Sequence, residues 1–248
     1  MSNNNDILLK KAQNTMLNIF IEVDRICKKH KLSYWLDLGT LLGAHRHQGF
    51  IPWDDDLDIA MPREDYIKFL EIAKTELDSK YFLQNKSTEK SFYTHYTKIR
   101  DKKSIFIEKH EKNKKVTYHQ GIFIDIFPVN YINRNNTKIH SSLRFIAKIF
   151  ANRYIDVSFL GKAINKLANN FHNEKNNFIV RGPEVTSFEI KLPKGDIFPL
   201  KEVNFENHLC FIPNNVEKYL ELFYGKTYMT LPPENKRHTH ADSIVFID

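Results

Sequence analysis

The sequence predicts an α+β fold, and three observations carry that expectation. Residues 7–27 place Leu8, Ala12, Met16, Ile19, Val23 and Ile26 at helical spacing. Short runs rich in Ile and Phe, above all Gly121 to Val129, read as strands. Helix and strand signals then alternate along the whole chain instead of segregating into halves. With only 8 glycines in 248 residues, a Gly-rich dinucleotide-binding architecture is disfavoured.

The elements follow in order. Lys28, Lys29 and His30 give the first helix a basic last turn, which complements its dipole. Ser33 to Leu38 reads as a short strand, after which Gly39-Thr40 opens a helix ending near Gln48-Gly49. Phe50 to Trp53 is a loop, Asp56 to Ala60 a strand, and Pro62 sits at the start of a helix reaching about Glu76. Tyr81 to Ile107 reads as strands broken by polar turns, and the strand from Gly121 is expected to stop at Pro128. Asn133 to Asn136 marks a loop and a subdomain boundary. Beyond it an amphipathic helix carries Ile139, Leu143, Ile146, Phe150 and Tyr154 on one face and Arg144 and Lys148 on the other. Residues 196–212 look like a strand pair, and Pro213 opens a last helix to about Tyr224, closed by Gly225.

Composition narrows the function classes. Apolar residues at 42% and charged residues at 27% exclude wholesale disorder. Two distant cysteines, Cys27 and Cys210, cannot build a disulfide framework or a cysteine zinc site, and reduced cytoplasmic thiols are the default reading. No run is long and apolar enough for a membrane span, and the polar, Asn-rich start shows no signal peptide. A net charge of +7 fits nucleic acid, an anionic membrane face, phosphorylated small molecules or mere solubility.

The sharpest feature is Trp53-Asp54-Asp55-Asp56-Leu57-Asp58-Ile59. On a strand, Asp56 and Asp58 point one way while Leu57 and Ile59 point into the core. Two carboxylates on one face repel unless a cation lies between them, and Mg²⁺ takes carboxylate oxygens while keeping room for water and phosphate. Asp125 stands alone in Ile122-Phe-Ile-Asp-Ile-Phe127, where an acid without a partner is costly. Setting it beside the Asp56/Asp58 pair makes three carboxylates on adjacent strands around one or two metals. Gly39-Thr40 adds backbone N–H groups and a hydroxyl at a helix N-terminus, a natural phosphate site. Competing readings stand beside these: Asp54 and Asp55 as a solvated loop or cap, and Asp125 as a buried acid paired with Arg or Lys.

The segment from Leu38 to Tyr66, LGTLLGAHRHQGFIPWDDDLDIAMPREDY, closely resembles the signature of the LicD family. That family contains bacterial phosphocholine transferases, is related to the fukutin-type transferases, and falls in the nucleotidyltransferase superfamily. Ile124-Asp125-Ile126-Phe127-Pro128 is similar to its third-Asp segment. Ile197-Phe198-Pro199-Leu200, Phe205, Ile212-Pro213, Tyr219-Leu220, Tyr224-Gly225 and Leu231-Pro232-Pro233-Glu234 resemble later landmarks. His45 and Asn130 depart from the pattern, away from the three aspartates. The resemblance implies a nucleotidyltransferase-like mixed sheet flanked by helices, one catalytic domain over residues 1–248 with a basic helical insertion near 137–180.

It also implies an activity: transfer of phosphocholine or a related phospho-alcohol from a CDP-activated donor such as CDP-choline to a hydroxyl of a glycan or lipid-linked glycan, releasing CMP. Mg²⁺, or Mn²⁺, would be held by Asp56, Asp58 and Asp125. Gly39, Thr40, Arg46, Lys98, Arg100 and Arg237 are candidates for substrate phosphates. Against these stand an exposed helix cation for Arg46, a solvated strand face for Lys98 and Arg100, and a frayed basic tail for Lys236 to His240. The alternating histidines His45/His47 and His238/His240 are read as chance in a chain with 11, not as zinc ligands. No nucleic acid partner is expected, and the location is cytoplasmic, with peripheral contact at the inner membrane face through the 139–154 helix. Two other readings use the same residues differently: a true nucleotidyltransferase moving NMP, and a non-catalytic basic binding protein.

Overall fold

The structure is a computed structural model that describes residues 3–151, 163, 166–167, 169–185 and 189–247. Helix α1 (Asn3–His30) buries the face its periodicity marks: Ala12, Met16, Ile19, Val23 and Ile26 are all removed from solvent. A two-residue strand β1 (Trp35–Leu36) leads into α2 (Leu38–His47), then β2 (Asp58–Pro62) and α3 (Arg63–Glu76). Strands β3 (Tyr81–Gln84), β4 (Thr97–Asp101), β5 (Ser104–Glu108) and β6 (Phe123–Ile132) follow. After α4 (Thr137–Ala151) come β7 (Phe178–Arg181), β8 (Lys191–Pro193), the hairpin β9 (Lys201–Phe205) and β10 (His208–Ile212), α5 (Val216–Tyr224) and β11 (Ala241–Phe246).

The principal sheet is mixed, in the order β1-β2-β6-β4-β3, with β7 on β6 and β8 on β7. Only β2 and β6 run parallel; every other pair is antiparallel. The ten residues of β6 are all buried and form the spine of the sheet. The chain is α+β, with helices against this mixed sheet, as its sequence predicts.

Four expectations need correction. Pro128 does not end its strand: β6 continues to Ile132. On that edge β4 pairs with β6 up to Ile126 and β7 takes over from Val129, so the proline falls where the ladder changes partner. Helix α4 turns the other way from the pattern. Arg144 is buried, its guanidinium donating to the Val185 carbonyl at 2.5 and 3.1 Å, whereas Ile139, Phe145 and Ile146 are exposed. The loop carbonyl, a tertiary partner, decides that rotation. The side chains of Lys148, Phe150 and Tyr154 lie outside the described residues, as does part of the expected 137–180 insertion. The last helix starts at Val216, capped by the Asn215 side chain, not at Pro213. Finally, the chain's end is no frayed tail, because β11 pairs with β5 from Ala241 to Phe246.

Candidate active site

The parallel register sets Asp58 directly beside Asp125, and the antiparallel register sets Asp125 beside Lys98. These pairings build the floor of a cavity of about 320 Å³. Asp54, Asp56, Asp58, Asp125 and Glu108 line it, against Lys98 and His240 as its basic groups. The aromatic rings of Tyr96, Phe123, Phe127 and Tyr224, with Leu38, Leu42 and Ile51, make the apolar part of the wall.

Asp58 is delivered from two directions. Its backbone N–H donates to the Thr40 hydroxyl at 2.8 Å, and its carbonyl accepts from the Asp37 N–H at 2.9 Å. Thr40 thus holds β2 in place, and its hydroxyl is committed to that strand instead of lining the cavity. Gly39 does line it. A Cβ there would come within 2.9 Å of Asp54 Oδ2, so any larger residue would have to push that carboxylate aside. Leu38, at φ 44°, holds a left-handed conformation that costs a leucine about 1 kcal/mol or more. Asp37 sustains that turn: its Oδ1 accepts from Leu38 N at 2.9 Å and from the Tyr219 hydroxyl at 2.6 Å, while its Oδ2 pairs with Arg181.

The electrostatics are those of acids short of counter-charge. Burial, reinforced by Asp56 and Asp125, lifts Asp58 well above the usual carboxylate range. Burial and the neighbouring Asp56 and Asp55 do the same to Asp54. Burial likewise raises Asp56, with His240 and Lys98 opposing. Asp125 is pushed up to about 6 by burial, with Lys98 opposing. The Lys98 ammonium donates to Asp125 Oδ2 at 3.1 Å and lies 2.9 Å from Oδ1. Oδ1 nevertheless has no hydrogen-bond partner although it is buried. The Lys98 ion pair alone engages that oxygen, and a carboxylate so held in a cavity of raised acids keeps lone pairs that a divalent cation would satisfy.

Other predicted residues sit elsewhere. Arg100 is buried behind the cavity, tied to Gln84 and to the Gly121 carbonyl at 2.6 Å. Arg46 donates to the Tyr228 carbonyl at 3.0 Å, and Arg237 stacks 4.3 Å over Trp53; neither lines the cavity. Asp55 is not a solvated loop residue. It accepts from the His240 and Ala241 N–H groups at 2.7–2.9 Å and so fastens β11. Asp54, Asp55 and His240 gather their ligand atoms within 4.8 Å. Those backbone bonds already occupy Asp55, so the trio fits an anchoring role better than a metal site. Asp56, Asp58 and Asp125 share the cavity without closing to that distance among the described residues. His240 itself lies 3.4 Å from Asp56, and its hydrogen bond to Asp55 raises it to about 9.

Sequence reasoning passed over Asp37, Glu108 and Tyr224 as site residues and set His240 aside as part of a frayed basic tail. Asp37 had a signal, since an aspartate just before a helical run is a preferred N-cap. The other three reach the cavity from distant segments, which no local pattern reveals.

Residues 31–162 match the family model for the LicD/FKTN/FKRP nucleotidyltransferase domain. The chain belongs to this family. It is 28% identical over 260 residues to the lipopolysaccharide cholinephosphotransferase LicD of Haemophilus influenzae, covering 94% of this chain and 96% of that one. An uncharacterized protein of Rickettsia prowazekii is 34% identical over 47% of this chain and 41% of its own. The human ribitol 5-phosphate transferase FKRP is 38% identical over 64 residues, 24% of this chain and 13% of its own. With these family members the expectation of a phosphotransferase enzyme stands, and the reading as a non-catalytic basic protein falls. No described helix of the LicD-family chain is long and apolar enough to cross a membrane.

Proposed function

We propose that this LicD-family protein transfers phosphocholine, or a related phospho-alcohol, from a CDP-activated donor to a hydroxyl of a cell-surface glycan, releasing CMP. The observation that carries the reading is the side-by-side register of Asp58 and Asp125 at a cavity that Asp54, Asp56 and Glu108 also line. Asp56, Asp58 and Asp125 would hold Mg²⁺ or Mn²⁺. A bound ion there would neutralise the charge that develops on a donor pyrophosphate as it splits.

The chain's own residues do the remaining work in this proposal. Lys98, 3.3 Å over the Phe123 ring, fixes the Asp125 carboxylate and adds positive charge at the floor. Gly39, at the first turn of α2, lets a phosphate approach backbone N–H groups at a helix N-terminus. The raised pKa of Asp54, which stays outside the proposed metal ligands, suits a group that takes a proton from an acceptor hydroxyl near neutral pH. Five carboxylates beside the Tyr96 and Tyr224 rings favour a cationic alcohol such as choline, through cation–π and charge contacts. We place the enzyme in the cytoplasm, with the exposed Ile139, Phe145 and Ile146 of α4, in place of Arg144, as the surface for peripheral membrane contact.

The test is incubation with CDP-choline, CDP-ethanolamine, CDP-glycerol and CDP-ribitol plus lipopolysaccharide, with and without EDTA, following products by mass spectrometry. Metal-dependent CMP release with mass added to the glycan is expected. Pyrophosphate release from a nucleoside triphosphate, with NMP attached to the acceptor, would replace this reading with nucleotidyl transfer.

A further inference from the structure

A second concavity lies away from the cavity described above. Its wall includes Ile132, seven residues beyond Asp125 on β6 and therefore roughly 23 Å away at the rise of a strand. It is a groove of about 740 Å³ along the edge strand β8. Four cations border it: Arg134, Lys175, Lys191 and Lys218. Lys191 is neutralised by Glu189 at 3.0 Å and Lys218 by Asp196 at 2.6 Å. Arg134 and Lys175 have no ionic partner among the described residues. No carboxylate lines the groove, which leaves it with two uncompensated positive charges.

The remaining lining has a distinct chemistry. Asn133, Asn176 and Asn177 present amides, and the half-buried Phe178 offers a ring beside Leu192 and Pro193. Asn133 and Asn176 are partly engaged, accepting from Asn135 N at 2.9 Å and donating to the Tyr131 carbonyl at 3.4 Å. The exposed Asn177 side chain makes no hydrogen bond among the described residues. Amides match sugar hydroxyls, an aromatic face matches the C–H face of a pyranose, and unpaired cations match phosphate. A bare anion would not need the ring and amides. A neutral sugar would not need the charges.

We infer that this groove is a binding site for a phosphate-bearing saccharide. On the proposed function, and resting on it for this point alone, the ligand is a section of the acceptor glycan remote from the hydroxyl that reacts. A span of roughly 23 Å exceeds one or two sugar residues, so the groove selects extended acceptors. Its contribution is affinity for the acceptor, separate from the chemistry at the aspartates.

Binding is measured by calorimetry without turnover, using a phosphorylated oligosaccharide, its phosphatase-treated form, and phosphatidylglycerol vesicles. The groove variant is Arg134→Glu with Lys175→Glu. Both residues are exposed and outside any ion pair, so the melting temperature should hold. Asn177→Ala probes the amide separately. The phosphorylated oligosaccharide should bind, the dephosphorylated one about tenfold more weakly, and the charge-reversed protein about tenfold more weakly again. Asp58→Asn should leave this binding intact while CMP release is lost. Equal binding by the charge-reversed protein overturns the inference, whatever the enzyme does. Loss of binding in Asp58→Asn overturns it as well, because the saccharide would then occupy the cavity. Vesicle binding that needs Arg134 and Lys175, without oligosaccharide binding, would make the groove a membrane contact instead.

Discussion

Two sets of buried aspartates in this molecule have opposite fates. Asp37 and Asp24 are saturated: Asp37 by Arg181, the Tyr219 hydroxyl and the Leu38 N–H, and Asp24 by the Tyr34 hydroxyl at 2.6 Å, His208 at 2.7 Å and Lys28 at 2.8 Å. Asp54, Asp56, Asp58 and Asp125 are crowded together instead, all raised by burial, with Lys98 and His240 as the basic groups of their cavity. Burial alone therefore does not distinguish a functional acid from a structural one. The unmet demand for positive charge does.

The comparison breaks most visibly through substitution in the crowded set. Asp58→Asn and Asp125→Asn should each lower transfer on the order of 10³-fold, since the charge stabilisation at stake is several kcal/mol. Metal-free stability should stay level or rise in Asp58→Asn, where a repelling charge is removed, and fall in Asp125→Asn, which leaves the buried Lys98 ammonium without its counter-ion. Turnover near the wild-type level under excess Mg²⁺ would refute the assignment. In the saturated set the outcome inverts. Asp37→Asn leaves Arg181 buried without its counter-ion and should cost roughly 3–5 kcal/mol in urea unfolding.

A pH series sharpens the contrast. The folded-state value of Asp125 is raised from 3.8 to about 6, so its protonated form adds stability that is lost as pH rises through 6. His240, raised from 6.5 to about 9, adds stability present below 6.5 and lost as pH rises through 9. With EDTA, the melting temperature should therefore decline from about pH 4 to pH 6 through Asp125 and again from pH 6.5 to pH 9 through His240. Excess Mg²⁺ should flatten that decline by favouring the ionised carboxylates, and in Asp125→Asn the lower part of the slope should vanish. A slope unaffected by either change would separate these groups from the protein's pH response.

Smaller effects test the supports. Asp55→Ala frees three contacts to the His240 and Ala241 N–H groups and should cost about 1–3 kcal/mol. Hydrogen exchange should quicken along β11 first. At the low end, Lys10→Ala removes an exposed pair with Glu206 at 3.3 Å and should change stability by less than about 1 kcal/mol.

The sequence by itself determined the elements and the acids. Helical spacing in α1 needs only local geometry. Leu57 and Ile59 are buried as expected beside the aspartates, although β2 begins only at Asp58, after Asp56 and Leu57, and buries all five of its residues. The Asp-x-Asp pair and the isolated Asp125 are legible because charge within apolar runs demands an explanation. Tertiary structure alone decided the partners. Whether Arg100 or Lys98 faces the cavity, whether Arg144 meets water or the Val185 carbonyl, and that His240 returns to Asp55 and Asp56 depend on contacts between residues tens to nearly two hundred positions apart. One-dimensional patterns record which side chains must be paired or buried. Which distant atom satisfies them is fixed by register and packing, and so becomes visible only when the sheet is assembled.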